Sequence, residues 1–442
     1  MRTPPWRIVS LLLVGLLIGC TVPTPGQTPP TPWDGPAIAG NTPTPWDDPA
    51  IAGDTPTVAG DQGSAGDTPT VAGDQGSAED TPPPAGRQWT VQGPPVTQLA
   101  ALDGAMQTFM QATGTRAGSL AVAKDGQLLF AHGYTWADAD YPRTQPTSLF
   151  RLASVSKTFT AAGITHAYAT HLLTPTTRVF PLLGITTAAL PTQQPDPRIN
   201  TITVQQLVDH SGGWDDTAAG SGFDPVIRMR DIALALQLDG PPTGRDLARY
   251  MYGEPLQFAP GSKTQYSNFG YTLLGLVIEQ VSGQSFADYL QQQVLAPLGI
   301  TDVALAHTLA DQQLPGEVSY DQSGTGLSPL DPNTELWVPL AYGGEGWLTE
   351  VSGGSGGLVA SAPAVTALIH HYAVWGSGPR PSGPGPWESV KTGGMAGTSS
   401  RAVSRSDGLD YTYIFNTRDF PDARLEELNN ALDAALTHAQ LP

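Results

Sequence analysis

Ser154 and Lys157 stand three residues apart in Phe150-Arg-Leu-Ala-Ser154-Val-Ser156-Lys157-Thr-Phe159, which runs into a helical stretch from Ala161 to Tyr168. Positions three apart on a helix share a face, so the Lys157 amine lies one turn above the Ser154 hydroxyl. A serine hydroxyl is inert near neutral pH unless a neighbouring base takes its proton, and a helix N-terminus favours the oxyanion that develops on attack. One Ser-x-x-Lys pair is a weak signal by itself. Two further clusters strengthen it: Tyr266-Ser267-Asn268, in a loop entering a second helix, and Lys391-Thr392-Gly393, just before a C-terminal hairpin. The chain has only four lysines, Lys124, Lys157, Lys263 and Lys391, and two of them fall in these clusters. Asn268 also suits the N-cap of the helix that follows it.

The elements that must hold these groups are legible around them. Leu120 to Ala123, Lys124-Asp125-Gly126-Gln127 and Leu128 to Ala131 read as a β-hairpin, because Asp-Gly supplies the positive backbone angles of a tight turn. Arg401 to Ser406, Asp407-Gly408 and Tyr411 to Phe415 give a second hairpin. Asp419 and Pro421 are expected to cap a last helix with Leu425, Leu428, Leu432 and Leu436 along one face. Strands and a helix at both ends, around a loop-rich helical middle, predict an α/β (α+β) fold. Its antiparallel sheet is built from both termini of the domain, flanked by helices, with a mostly helical region inserted.

The three clusters in this order, Ser154/Lys157, Tyr266/Asn268 and Lys391/Thr392/Gly393, resemble the serine β-lactamase and penicillin-binding-protein superfamily. Within it they are most similar to class C β-lactamases and D-alanyl-D-alanine carboxypeptidases. The resemblance covers most of residues 100 to 420 and includes Leu207-Val-Asp-His-Ser-Gly-Gly213-Trp214-Asp215, Leu256-Gln-Phe-Ala-Pro260-Gly261 and Lys391-Thr-Gly-Gly-Met-Ala-Gly397. It implies that Ser154 is acylated and that Lys157 and Tyr266 share the proton transfers. It further implies that Asn268 hydrogen-bonds Lys157 and the substrate amide, that Lys391, Thr392 and Gly393 meet the substrate, and that the amides of Ser154 and Gly394 form an oxyanion hole. The class A variant carries Ser-Asp-Asn and a deacylating glutamate, neither of which matches here, so deacylation would fall to Tyr266. A lysine at 391 suits a substrate bearing a carboxylate. Three activities fit: β-lactam hydrolysis, peptidase action on peptidyl-D-alanine in peptidoglycan, and hydrolysis of small esters.

The amino-terminal part reads differently. Arg2 and Arg7 precede an apolar run from Ile8 to Gly19, shorter than the ~20 residues of a spanning helix but right for an export signal. Leu17-Ile18-Gly19-Cys20 resembles the lipobox of bacterial lipoproteins, which implies lipidation of Cys20, a membrane anchor and a location outside the cytoplasm. Residues 21–87 carry thirteen-residue repeats, Thr31 to Pro43, Thr44 to Pro56, Thr57 to Pro69 and Thr70 to Pro82, rich in Pro, Gly, Thr and Asp. Such a segment has little to bury and is expected to be a disordered, extended stalk beneath a hydrolase domain spanning 88–442.

Composition narrows the chemistry. A net charge of −19 repels a phosphate backbone, which argues against nucleic acid as a partner. One cysteine and eight scattered histidines without HExxH spacing offer no zinc site, and no cofactor is expected. Two rival readings remain. Gly353-Gly354-Ser355-Gly356-Gly357 satisfies GxSxG and would make Ser355 the nucleophile of an α/β-hydrolase, although the flanking pattern is poor for a strand–turn–helix elbow. The other is a non-catalytic sensor or penicillin binder on the same scaffold. His210, which invites a Ser/His/Asp triad, reads as a structural residue.

Overall fold

The computed structural model describes residues 86–218 and 222–439. The export segment, Cys20 and the repeats lie outside the described residues, and the first strand begins at Gln88.

A six-stranded antiparallel sheet forms the backbone of the domain. Its strands are β1 (Gln88–Gln92), β2 (Ala117–Lys124), β3 (Gln127–Ala137), β4 (Glu388–Met395), β5 (Thr398–Arg405) and β6 (Leu409–Phe415), in the spatial order β1-β3-β2-β6-β5-β4. The termini thus meet at the centre, where β2 pairs with β6 from Leu409 opposite Lys124 to Phe415 opposite Gly118. The β2–β3 turn forms at Asp125 and Gly126 with φ of 51° and 80°, the left-handed pair that a two-residue hairpin needs. Lys391-Thr392-Gly393 lies on β4, the edge strand, so the third cluster sits at one margin of the sheet.

Both faces of the sheet are covered. On the outer face α1 (Ala100–Thr113) packs Leu102, Met106 and Phe109 against Leu428, Leu432 and Leu436 of the last helix, Asp422–His438, over Phe130, Tyr411 and Phe415 of the sheet. On the inner face lie α2 (Ser156–Ala169), α3 (Asn268–Ser282) and α4 (Ala362–His371), embedded in the larger apolar cluster. In α2 the buried residues run without interruption from Ser156 to Ile164, so this is a central helix surrounded by protein.

Two details depart from the sequence reading. Asp419 does not cap the last helix: its side chain accepts from the Ser323 amide, and Pro421 takes the N-cap position with no side-chain oxygen to offer. The inserted region also contains short strands. Phe150–Arg151, Leu358–Ala360 and Val303–Leu305 form a small sheet, and Thr325–Leu327 pairs with Trp337–Pro339. Strands of two or three residues lack the alternation that would announce them.

Candidate active site

The site is assembled where α2, α3 and β4 converge. Ser154 lies in a single 3-10 turn, Ala153–Val155, directly before α2. Ala153 takes φ of +45°, rare for a residue with a side chain and costing on the order of 1–3 kcal/mol. The surroundings hold that turn: the Ser400 hydroxyl donates to the Leu152 carbonyl at 2.7 Å, and Thr398 Oγ1 donates to the Arg151 carbonyl at 2.8 Å. Ser154 is the one residue between 151 and 160 that is not fully buried, so its hydroxyl is reachable.

Two groups flank that hydroxyl. Lys157 Nζ donates to Ser154 Oγ at 3.2 Å, and the Tyr266 hydroxyl donates to it at 2.6 Å. Lys157 is 2 % exposed and has two more acceptors, Asn268 Oδ1 and the Ser355 carbonyl, each at 2.7 Å. Three donors on three acceptors satisfy an ammonium group in an otherwise costly buried position. Ser267, not Asn268, caps α3, its hydroxyl accepting from the Gly270 amide at 3.1 Å. Asn268 is thereby released to face Lys157.

Lys391, 1 % exposed, reaches the same ring from β4. Its Nζ lies 4.7 Å from the Tyr266 ring centroid and 3.6 Å from that of Trp375, while Lys157 Nζ lies 4.8 Å from the Tyr266 centroid. Two cations therefore rest against one phenol, held partly by cation–π attraction. Gly393 permits the close passage of β4: a methyl there would meet the Leu152 carbonyl at 2.3 Å and the Ser154 amide nitrogen at 3.0 Å. Thr392 is half-buried between these residues, and a side chain at Gly394 would meet Arg418 Nε at 2.7 Å. Residues from all three clusters thus gather around Ser154.

Ser355 does not belong with them as a nucleophile. It is 0 % exposed, its hydroxyl donates to the Ser352 carbonyl and accepts from Thr272, and the segment continues into a strand at Leu358 instead of a helix. This overturns the α/β-hydrolase elbow: Ser355 contributes its backbone oxygen to Lys157 and nothing more. Among the described residues no group of three or more His, Cys, Asp or Glu is arranged to hold a metal ion.

Several residues of the site carried little or no signal in the sequence. His210 stacks on Tyr266 at 4.7 Å between centroids, and its Nδ1 accepts from the Ser267 amide. Burial, aided by the charges of Lys391 and Lys157, holds the imidazole well below its ordinary value and hence neutral. It is the floor under the phenol, in keeping with the structural reading of that residue. Trp375 covers Lys391, and Asp224 accepts from Asn268 Nδ2 at 2.7 Å. The Asp-His-Ser-Gly-Gly run pointed at His210, whereas Trp375 and Asp224 stand in no motif.

Comparison with known proteins gives the family and the fold. The family model for beta-lactamases matches residues 102–419. A probable fimbrial assembly protein FimD of Dichelobacter nodosus is 33% identical over 178 residues, 39% of this chain and 38% of that protein. Penicillin-binding protein 4* of Bacillus subtilis is 28% identical over 211 residues, 45% of this chain and 40% of that one. The chain spans about two fifths of the length of the curated relatives it matches. Among solved structures, EstCE1, a hydrolase with promiscuous acyltransferase activity, superposes with a TM-score of 0.54 at 18% identity, over 76% of this chain and 98% of that one. The octameric penicillin-binding protein homologue from Pyrococcus abyssi gives 0.53 at 18% identity, over 76% and 77%. These likenesses show the fold, and the family model covers most of the domain. The chain belongs to the beta-lactamase family, within the serine β-lactamase and penicillin-binding-protein superfamily of serine hydrolases.

Proposed function

We propose that this protein is an extracytoplasmic serine hydrolase, tethered to a membrane through lipid on Cys20, that cleaves amide or ester bonds by way of an acyl-enzyme on Ser154. The observation that carries the catalytic reading is the position of Ser154 Oγ, 2.6 Å from the Tyr266 oxygen and 3.2 Å from Lys157 Nζ; the tether rests on Leu17-Ile18-Gly19-Cys20 in the sequence.

In this mechanism Ser154 Oγ bonds to the substrate carbonyl carbon as its proton passes to the base. The tetrahedral oxyanion is held by the amides of Ser154 and Gly394. The carbon–nitrogen or carbon–oxygen bond then breaks, and the leaving group departs with a proton returned by the site. Water attacks the acyl-enzyme with its own proton passing to Tyr266, which frees the carboxylic acid and restores Ser154. Distance favours Tyr266 as the immediate base, since its oxygen lies 2.6 Å from Ser154 Oγ against 3.2 Å for Lys157 Nζ, whose protons are also drawn to Asn268 Oδ1 and the Ser355 carbonyl. With Tyr266 ionised, the 2.6 Å contact reverses and Ser154 donates. The charges of Lys157 and Lys391 complement that phenolate.

In this reading a substrate lies along β4 beside Thr392 and Gly393, with Thr392 part-exposed toward a substrate carboxylate, while Lys391, buried beneath Trp375, acts on the site through its charge. A β-lactam, a peptidyl-D-alanine peptide of peptidoglycan and a small ester all fit this scheme. Their relative rates are read by incubating the protein with a fluorescent penicillin, a D-alanyl-D-alanine peptide and a nitrophenyl ester beside Ser154→Ala. Rapid turnover of the penicillin marks a β-lactamase, and a long-lived penicilloyl adduct marks a penicillin-binding protein. Equal activity in wild type and Ser154→Ala contradicts the whole scheme.

A further inference from the structure

Asp224 lies outside all three clusters, yet its side chain is buried and hydrogen-bonded into the site. Oδ2 accepts from Asn268 Nδ2 at 2.7 Å and Oδ1 accepts from the Val226 amide at 2.9 Å. Asn268 in turn accepts from Lys157 through Oδ1 at 2.7 Å. The two neighbours leave Asn268 no choice of orientation: an ammonium only donates and a carboxylate only accepts, so the amide must turn its oxygen to Lys157 and its nitrogen to Asp224. A line of hydrogen bonds runs from Asp224 through Asn268 and Lys157 to Ser154. The local charge points the same way, since Lys157 and Lys391 bring two positive charges to a nearly dry pocket where unbalanced charge is expensive.

We propose that Asp224 is a positioning residue for the hydrolytic site: its buried carboxylate fixes the Asn268 carboxamide and balances the Lys157 ammonium, so that Lys157 remains a proton donor while Tyr266 takes the Ser154 proton. The proposal rests on the reading of Ser154 as nucleophile. Burial raises the Asp224 carboxyl above its ordinary range, and Asn268, Val226 and the Lys157 charge oppose that rise. The other titratable groups around this line are Asp216 and Asp215 from the same segment, His210 and Tyr266 beside α3, and Lys391 from β4. Asp216 is pushed up to about 6 by burial, then by Asp224 and Asp215, whereas Asp215 is ion-paired with Lys263 at 2.9 Å.

The test compares full-length wild type, Asp224→Asn and Asp224→Ala in hydrolysis of p-nitrophenyl acetate from about pH 5 to about pH 9, with Ser154→Ala as the blank and a thermal melt of each variant. Asp224→Ala frees the Asn268 amide and is expected to lower kcat/KM roughly 100-fold. Asp224→Asn keeps an oxygen for Asn268 and is expected to recover at least about tenfold of that loss. It removes the anion, however, so both limbs of its pH profile move to lower pH by about half a unit or more, because ammonium and neutral phenol each lose a stabilising negative charge. A residue that merely supports the fold would lower the rate at every pH and leave the limbs in place. Unmoved limbs in a folded Asp224→Asn overturn the proposal while Ser154 stands; if Ser154→Ala matches wild type, the Ser154 reading falls and this proposal falls with it.

Discussion

Gly393 passes so near Ser154 that a Cβ on it would come within 3.0 Å of the Ser154 amide nitrogen and 2.3 Å of the Leu152 carbonyl. The backbone of β4 is therefore one wall of the site, and its proximity depends on the missing side chain. Gly393→Ala must push the strand away, at a cost of about 1–3 kcal/mol for overpacking. Because the displaced strand also carries Lys391 and Gly394, kcat/KM is expected to fall by roughly 100-fold or more. A melting curve and an ester-hydrolysis assay on the same preparation check both effects.

Tyr266 provides the shortest contact to Ser154 and rests on His210. Tyr266→Phe keeps the ring and its stacking but removes the oxygen that receives the proton. Its stability should stay within about 1 kcal/mol of wild type while kcat/KM falls by about 10²- to 10⁴-fold. The acyl-enzyme, where it still forms, should persist longer than in wild type, as read by the mass of the intact protein over time.

His132 lies on β3, contacts Asp103 of α1, and makes stability depend on pH. Nδ1 contacts Asp103 Oδ1 at 2.7 Å and Nε2 contacts the Pro94 carbonyl at 2.9 Å, so both nitrogens face acceptors and the imidazolium suits them better than the neutral ring. Burial works against the charge, but Asp103 and the Pro94 carbonyl outweigh it and raise the imidazole above 6.5. The sign follows: the contribution is complete below about 6.5, the unfolded value, and is lost as pH rises through the higher folded value. Denaturant unfolding of wild type and His132→Gln across that window should show their difference shrinking as pH increases. A difference that stays constant would contradict the assignment.

The clusters around Ser154, Tyr266 and Lys391 were legible because their residue types are few in this chain and their spacing is short. Lys157 follows Ser154 by one helical turn, and only four lysines compete for the role. The hairpins were legible through Asp125-Gly126 and Asp407-Gly408, where turn chemistry is local. The Leu428, Leu432 and Leu436 face was legible as a period, but the end of that helix was not, since Asp419 is drawn away by Ser323, nearly a hundred residues earlier in the chain. Asp224 and Trp375 escaped notice for the same reason. Each acts on a residue brought near only by tertiary packing, Asp224 on Asn268 and Trp375 on Lys391. The GxSxG pattern at Ser355 was discounted on its flanks, and the structure shows why: five small residues in a buried turn reproduce a motif without its elbow.

The most direct test of the central claim is intact-protein and peptide mass spectrometry after brief exposure to benzylpenicillin or an activated ester. The account predicts one added acyl group, located on the peptide containing Ser154, absent from Ser154→Ala and retained in Ser355→Ala. An adduct that survives in Ser154→Ala, or one that maps to another serine, would contradict it.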